Sequence, residues 1–309
     1  MCYTPYAQRL RELGFSGKVR KVTLNGGFTC PNIDGSKSRG GCTFCDNRSF
    51  SPVADSQGRS ISEQLEQGIS YNRKKFGAEK FIAYFQTYSG TYAPVERLQE
   101  IYSEALGHPD VVGISIGTRP DCVDDSVADL LEAFSHKTFL TLELGLQSVF
   151  DQTLQRINRA HTFEDFSRTM DLCQYRNFEL CIHVILGLPG ETAEHWVQTA
   201  ASLNRWKYQG IKIHPLHVVK GTVLGNQYAQ GHYQPLEIRE YVNGLVDFLE
   251  FVPRSVGVQR FTGDAPSAML IAPRWCREKS LVRESMLAEF SRRGSHQGCR
   301  VDVKEGFPS

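Results

Sequence analysis

No stretch of about eighteen consecutive apolar residues occurs in the 309-residue chain, so no membrane-spanning helix is expected. The opening "MCYTPYAQRL" lacks the basic and apolar regions of a secretory signal, which makes the cytoplasm the expected compartment. Internal repeats and low-complexity tracts are missing too, and at 40% hydrophobic and 22% charged the chain reads as an ordinary globular protein. A second C-x-x-C and a nearby H-x₃-H pair are also lacking, and with them the usual fourth ligand of a closed zinc site. In a chain with no secretory mark, the nine cysteines point to metal or redox chemistry rather than to a disulfide framework.

Net charge is scarce as well, +1 at pH 7, but the balance hides an uneven distribution. Residues 1–30 carry five cations (Arg9, Arg11, Lys18, Arg20, Lys21) against Glu12. Residues 253–300 carry nine (Arg254, Arg260, Arg274, Arg277, Lys279, Arg283, Arg292, Arg293, Arg300) against Asp264, Glu278, Glu284 and Glu289. Two basic ends around an acidic middle suggest contact with a polyanion; a solvated surface is the plainer alternative.

Six short runs rich in Val, Ile and Phe read as buried strands: 18–24, 80–86, 111–117, 139–145, 180–186 and 211–219. Between them stand amphipathic segments with apolar residues at helical spacing. Examples are Leu65, Ile69 and Phe76; Val95, Leu98, Ile101, Tyr102 and Ala105; Val127, Leu130, Leu131 and Phe134; and Phe150, Leu154 and Ile157 with Phe163, Phe166, Met170 and Cys173. Helices over 191–206 and 236–250 complete the set. A β-α unit repeated six times gives a doubly wound sheet or a complete or partial barrel, and periodicity does not separate them. Either fold puts its chemistry in the loops at the carboxyl ends of the strands. After residue 255 the alternation lapses, and one helix at 279–291 follows.

Directly after the first strand comes "FTCPNIDGSKSRGGCTFCD" (28–46), with Cys30, Cys42 and Cys45 in one loop. Thiolates favour zinc or iron–sulfur clusters, and the loop alone leaves cluster, zinc and chance grouping open. With C-x₁₁-C-x₂-C, an aromatic before the last cysteine and the six-fold β-α pattern, the chain resembles the radical SAM superfamily. The spacing is similar to the branch containing the catalytic subunit of Elongator, and most of all to YhcC/YtqA-type bacterial proteins. The resemblance is carried by "LNGGFTCPN" (24–32), "GGCTFC" (40–45), "SIGTRPDC" (115–122), "LELGLQS" (142–148), "NRAHT" (158–162), "GLPGET" (187–192) and "HPLHVVKGT" (214–222).

That resemblance implies an α/β fold, a partial (βα)₆ TIM-like barrel over 1–252 with its cluster loop at 25–50, and a C-terminal α/β extension over 253–309 packed on the same domain. It implies that Cys30, Cys42 and Cys45 ligate a 4Fe–4S cluster, whose fourth iron takes S-adenosylmethionine (SAM). It places Tyr88, Ser89 and Gly90 of "YSGT" against the methionine amino group, and Glu143, Gln147, Arg159 and His183 around the rest of SAM. Arg119, Asp121, Lys220 and His217 are expected to face SAM or substrate, and Cys122 to be an inert thiol or a radical-quenching donor. The implied electron donor is a flavodoxin or ferredoxin. The expected substrate is transfer RNA, through wobble-uridine side chains; a small metabolite or tetrapyrrole is the alternative, and a non-catalytic metal-bearing RNA-binding protein a further one.

Overall fold

The computed structural model describes residues 1–51, 53–54, 58–263 and 265–301. Asp264 and residues 302–309 of the expected C-terminal extension lie outside the described residues. Seven strands, β1 (Val19–Leu24), β2 (Lys80–Phe85), β3 (Val111–Thr118), β4 (Phe139–Gln147), β5 (Glu179–Leu186), β6 (Gly210–Pro215) and β8 (Gly257–Arg260), form one sheet in the order β1-β2-β3-β4-β5-β6-β8. Every neighbouring pair is parallel. The crossovers are α2 (Ile61–Phe76), α3 (Val95–Leu106), α4 (Asp125–Ser135), α5 (Asp151–Arg156) with α6 (Phe163–Cys173), α7 (Ala193–Leu203), and α8 (Val223–Ala229) with α9 (Ile238–Glu250). No described helix is long and apolar enough to cross a membrane.

The helices start where the chain supplies acceptors for their free amides. Ser60 with Glu63, and Thr162 with Asp165, form reciprocal caps on α2 and α6, and α2 stops at Gly77 in the left-handed conformation. Each helix then turns one apolar stripe onto the sheet. Leu98, Ile101, Tyr102 and Ala105 of α3 are buried against the strand side chains Phe81, Phe85, Ile114 and Ile116, at about 1.5–3 kcal/mol for each large side chain.

Two departures from the sequence expectation matter for the site. The run 211–219 is not one strand: it leaves the barrel at Pro215, and Val218–Val219 (β7) pairs antiparallel with Leu270–Ala272 (β9) in a separate ribbon. Proline has no N–H to continue the ladder, and Leu216 instead donates its own to Leu186 O at 2.9 Å. The seventh strand, β8, lies beyond the expected barrel limit at residue 252. Its four residues "GVQR" are too short and polar to register as a buried strand.

The sheet curls. Lys21 on one edge strand reaches Gln259 on the other, Nζ to Oε1 at 3.2 Å, and both surround a polar interior. Glu143 of β4, with no exposure, stands at its centre. Its Oε1 accepts from Lys21 and from Ser115 Oγ (2.8 Å), and its Oε2 from Lys212 and from His183 Nε2 (3.0 Å). One carboxylate thus gathers β1, β3, β5 and β6, and Tyr84 of β2 joins by accepting from Lys212 at 3.1 Å. The gap between β1 and β8 is bordered by the N-terminal segment. Pro5 pairs with Val258, and helix α1 (Tyr6–Glu12) buries Tyr6 beneath the barrel.

Burial alone would push the Glu143 carboxyl up, but the ammonium groups of Lys21 and Lys212 and the His183 ring hold it well below the usual range. Its stabilising contribution is therefore complete above the ordinary glutamate value and is lost only as pH falls through the depressed one. Replacing it by Glu143→Gln leaves two ammonium groups without their anion. The expected loss is about 3–5 kcal/mol in a urea titration at pH 7. An unchanged midpoint would contradict the hub role.

Candidate functional site

The cysteine loop leaves β1 through Gly26 and Gly27 and returns at α2. The amides of Ile33 and Asp34 donate to Cys30 O at 2.7 and 3.1 Å, and Cys45 N donates to Cys42 O at 3.0 Å. The second bond is the turn that sets the last two thiols on one side. Gly40 and Gly41, at φ 82° and 74°, make the left-handed bend that brings Cys42 back beside Cys30. All three cysteines are free and line one cavity, with Cys30 and Cys42 buried. Phe44, between the last two, packs on a satellite apolar cluster that includes Leu154, Ile157, Ile185, Leu216 and Leu224. The aromatic therefore seats the loop on the barrel rim.

Burial, with Cys42 and Cys30 alongside, pushes the Cys45 thiol well up. The three thiols converge on one cavity. Their donor set suits a soft, multiply charged group with an open ligand position. Two donors already face the sulfur of Cys42: Arg159 Nη1 at 3.7 Å and Asn32 Nδ2 at 3.6 Å.

The segment 158–161 clamps this loop. Asn158 and Ala160 are left-handed, at φ 52° and 55°, a conformation that asparagine tolerates and alanine does not favour. Asn158 Nδ2 donates to Arg39 O (3.1 Å) and Gly41 O (2.7 Å), Ser38 Oγ donates to Asn158 Oδ1 (2.9 Å), and Asn32 donates to Asn158 O. From below, buried Arg119 donates to Arg159 O (2.6 Å) and Ala160 O (3.2 Å), while its other edge grips Asp121 at 2.9 and 2.8 Å. Burial would raise Asp121, but Arg119 and Lys37 bring it down to about 2, so the pair stays ionic. Arg119 and Asp121 were expected to face SAM or substrate; Arg119 does line the cavity with the cysteines, and its hydrogen bonds are spent on the clamp. Arg159 is held by three contacts: Nε to His161 Nε2 at 2.9 Å, Nη2 to Gly145 O at 2.8 Å, and the Cys42 sulfur.

Of the other expected contacts, Tyr88, Ser89, Gln147 and His183 line the same cavity as the cysteines, and Tyr88 and Gln147 are left-handed at φ 58° and 74°. Gly90 does not line it. Its N–H is bound to Gly117 O at 2.9 Å and its carbonyl to Tyr102 Oη at 2.6 Å, so it packs strands rather than facing a ligand. Glu143 reaches the cavity wall, yet all four of its acceptor positions are taken, which leaves none for a ribose hydroxyl or an ammonium. His183 is pulled down to about 4, first by burial and then by Lys212. The neutral ring thus donates Nε2–H to Glu143 and keeps Nδ1 as an acceptor. His217 lines the cavity, whereas Lys220 is exposed and outside it. Burial pushes the Cys122 thiol up to about 12, so it is a protonated neighbour of the clamp.

Sequence reasoning passed over Lys21, Tyr84, Ser115, Lys212, His214 and Arg260, which build the polar interior or line the cavity. Their signal was present in part: a lysine at an inner position of a strand, as in "KVRKVTL" and "IKIHP". Glu143, Cys181 and His183 bring ligand atoms within 4.8 Å of one another. Lys21 and Lys212 already neutralise that carboxylate, so the group is an ion-pair centre rather than a metal site.

Residues 35–203 match the family model "Radical SAM superfamily", and 208–291 match "Radical_SAM C-terminal domain". YtqA of Bacillus subtilis (strain 168) is 41% identical over 94% of this chain and 89% of its own length. The tRNA uridine(34) acetyltransferase of Methanocaldococcus jannaschii is 25% identical over 52% of this chain and 30% of its length. Among solved structures, Elp3 of Methanocaldococcus infernus superposes with a TM-score of 0.68 at 16% identity, over 92% of this chain and 65% of that one. At that identity the likeness concerns the fold.

Removing the clamp by Arg119→Met leaves Asp121 with Lys37 alone and strands two backbone carbonyls. Amide exchange in residues 30–45 and 157–161 is expected to rise at least tenfold, with a stability loss of about 3 kcal/mol. Exchange unchanged in the cysteine loop would show that the two segments are not coupled.

Proposed function

The chain belongs to the radical SAM superfamily, and from that premise we propose that its cavity is the SAM and substrate site of a radical enzyme, with Cys30, Cys42 and Cys45 holding a 4Fe–4S cluster. The observation that carries this reading is the convergence of three free thiols with Arg159 on one cavity at the carboxyl ends of parallel strands. When bound, the cluster and SAM supply the one-electron cleavage that starts hydrogen abstraction throughout the family.

The protein's own residues then have separable tasks. Arg159, locked by His161 and Gly145, offers a fixed positive charge beside Cys42 and suits the SAM carboxylate. Nδ1 of His183 accepts from a ribose hydroxyl, and Tyr88, Ser89 and Gln147 border the methionine end. Phe44, Ile185 and Leu216 supply apolar wall that keeps water from the reacting atoms. Glu143 touches none of these partners and acts by holding His183 and the strands. Electrons come from a flavodoxin or ferredoxin, and the absence of a disulfide among the described residues suits a reducing cytoplasm.

For the substrate, transfer RNA is the first reading, supported by the relationship to the tRNA uridine(34) acetyltransferase. A small metabolite or tetrapyrrole is the second, and one observation favours it. Several cations of the two basic ends are consumed within the protein: Arg9 by Glu179, Arg292 and Arg293 by Glu289, Arg300 by Glu250, and Lys21 by Glu143. These pairings lower the surplus left to meet a phosphate backbone.

Anaerobic reconstitution followed by reduction and addition of SAM is expected to yield deoxyadenosine, and Cys42→Ala to yield none. Equal product from both would end the enzyme reading. If transfer RNA is the substrate, its affinity falls steeply between about 50 and 200 mM salt, and a deletion strain lacks one modified nucleoside. Salt-insensitive or undetectable binding favours the small molecule.

A further inference from the structure

The bottom of the cavity carries a cation that the reading above does not use. Between β6 and β8 the ladder slips: Ile211 pairs with Val258 but Lys212 with Arg260, so Gln259 is an extra residue. Bulges re-aim the side chain that follows, and here both Gln259 and Arg260 turn inward. Gln259 spends its oxygen on Lys21, and Arg260 lines the cavity next to His214 and Gly263.

Arg260 has no hydrogen bond or ion pair among the described residues, and its Nε is buried without a partner. The one carboxylate lining the cavity among the described residues is Glu143, already shared by Lys21, Lys212 and His183. Three cations thus face one anion. The imbalance is visible on Lys212, which burial first, and then the charges of Lys21 and Arg260, pull down to about 7 against the attraction of Glu143. His183 and His214 are held neutral by burial and by Arg260, so they add no charge. A half-buried guanidinium with an unsatisfied donor is costly unless a ligand completes it.

Arg260 also sits apart from the cluster end. Gly145, His183, Lys212 and Arg260 follow one another across β4, β5, β6 and β8 in a single register row. Arg159 meets the carbonyl of Gly145 at one end of the row, and Arg260 occupies the other. Two cationic ends on one cavity fit two anionic groups.

We propose that Arg260 is the oxyanion subsite of this cavity and binds a carboxylate or phosphate carried by the substrate, bidentately through its guanidinium. The proposal rests on the radical SAM reading of the site. Because the subsite lies inside the barrel, the oxyanion belongs to the reacting molecule itself rather than to a distant backbone.

The test uses the reconstituted full-length protein with SAM, titrated with succinate and with inorganic phosphate at constant ionic strength set by chloride. Phenylglyoxal labelling of Arg260, mapped by mass spectrometry, reads occupancy. Saturable protection of Arg260 by either probe is expected, succinate alone pointing to a carboxylate substrate and phosphate alone to a phosphorylated one. In calorimetric titration of the same reconstituted protein, Arg260→Gln is expected to weaken binding of the protecting probe about tenfold or more, with partial recovery in Arg260→Lys. No protection of Arg260 in the wild type overturns the proposal, even where the variants do not fold. So does loss of SAM affinity in Arg260→Gln by the same factor as loss of the probe, which would assign the guanidinium to SAM. Failure of the wild type to form deoxyadenosine would sink the radical SAM reading and is scored separately from the labelling.

Discussion

A single buried carboxylate sets the geometry of this protein. An open seven-stranded sheet has no backbone ladder between its first and last strands to fix how far it curls. Glu143 supplies that constraint electrostatically, because Lys21 from one edge and Lys212 from the far side reach the same side chain. Coulomb attraction in a low-dielectric interior is worth far more than the same pair on the surface, and here it is spent on curvature. An apolar interior would pack as tightly but would not choose between a flatter and a more curled sheet. The charged one draws β1 and β6 to one point, and the cavity above takes its width from that choice.

On this frame the chemistry-bearing loop is positioned indirectly. Cys30, Cys42 and Cys45 lie in a loop with little regular structure, yet it is fastened at Asn158, at Phe44 and through Thr43, whose N–H meets Ile157 O at 2.9 Å. Arg119 fastens the fastener. The result is a chain of contacts from β3 through residues 159–160 to the sulfur of Cys42, made of short, mostly buried hydrogen bonds. The two left-handed residues, Asn158 and Ala160, store backbone strain that these bonds hold in place.

Much of this was legible in the residues. Six strands and the helices between them follow from periodicity, and the cysteine trio stands out by spacing alone. The seventh strand was not legible, because "GVQR" is too short and polar to carry a period. The break at Pro215 was hidden by an apolar run that continues past it into another sheet. For the site, period two along β4 puts Glu143 and Gln147 on one face, and both line the cavity. What period two could not say is that the carboxylate is already satisfied by residues more than a hundred positions upstream and some seventy downstream. Arg260 was counted as part of a basic terminal stretch, and a bulge turns it inward without any change in residue type. The surplus of charge at the two ends is likewise smaller than its count, because Arg9, Lys21 and Arg300 are paired with acids from the rest of the chain.

The N-terminal segment illustrates what the open edge demands. Thr4 O accepts from Val258 N at 2.8 Å, and Gln297 N donates to Cys2 O at 2.8 Å, so the first residues lie between the last barrel strand and the turn that follows the final helix. Exposed strand edges recruit other strands, and this one is covered by the protein's own leading residues. Those residues are made long before position 258 and cannot pair with it until it has been synthesised. The seal is consequently a late, long-range event in folding. Until it closes, the edge at β8 is open to pairing with another strand.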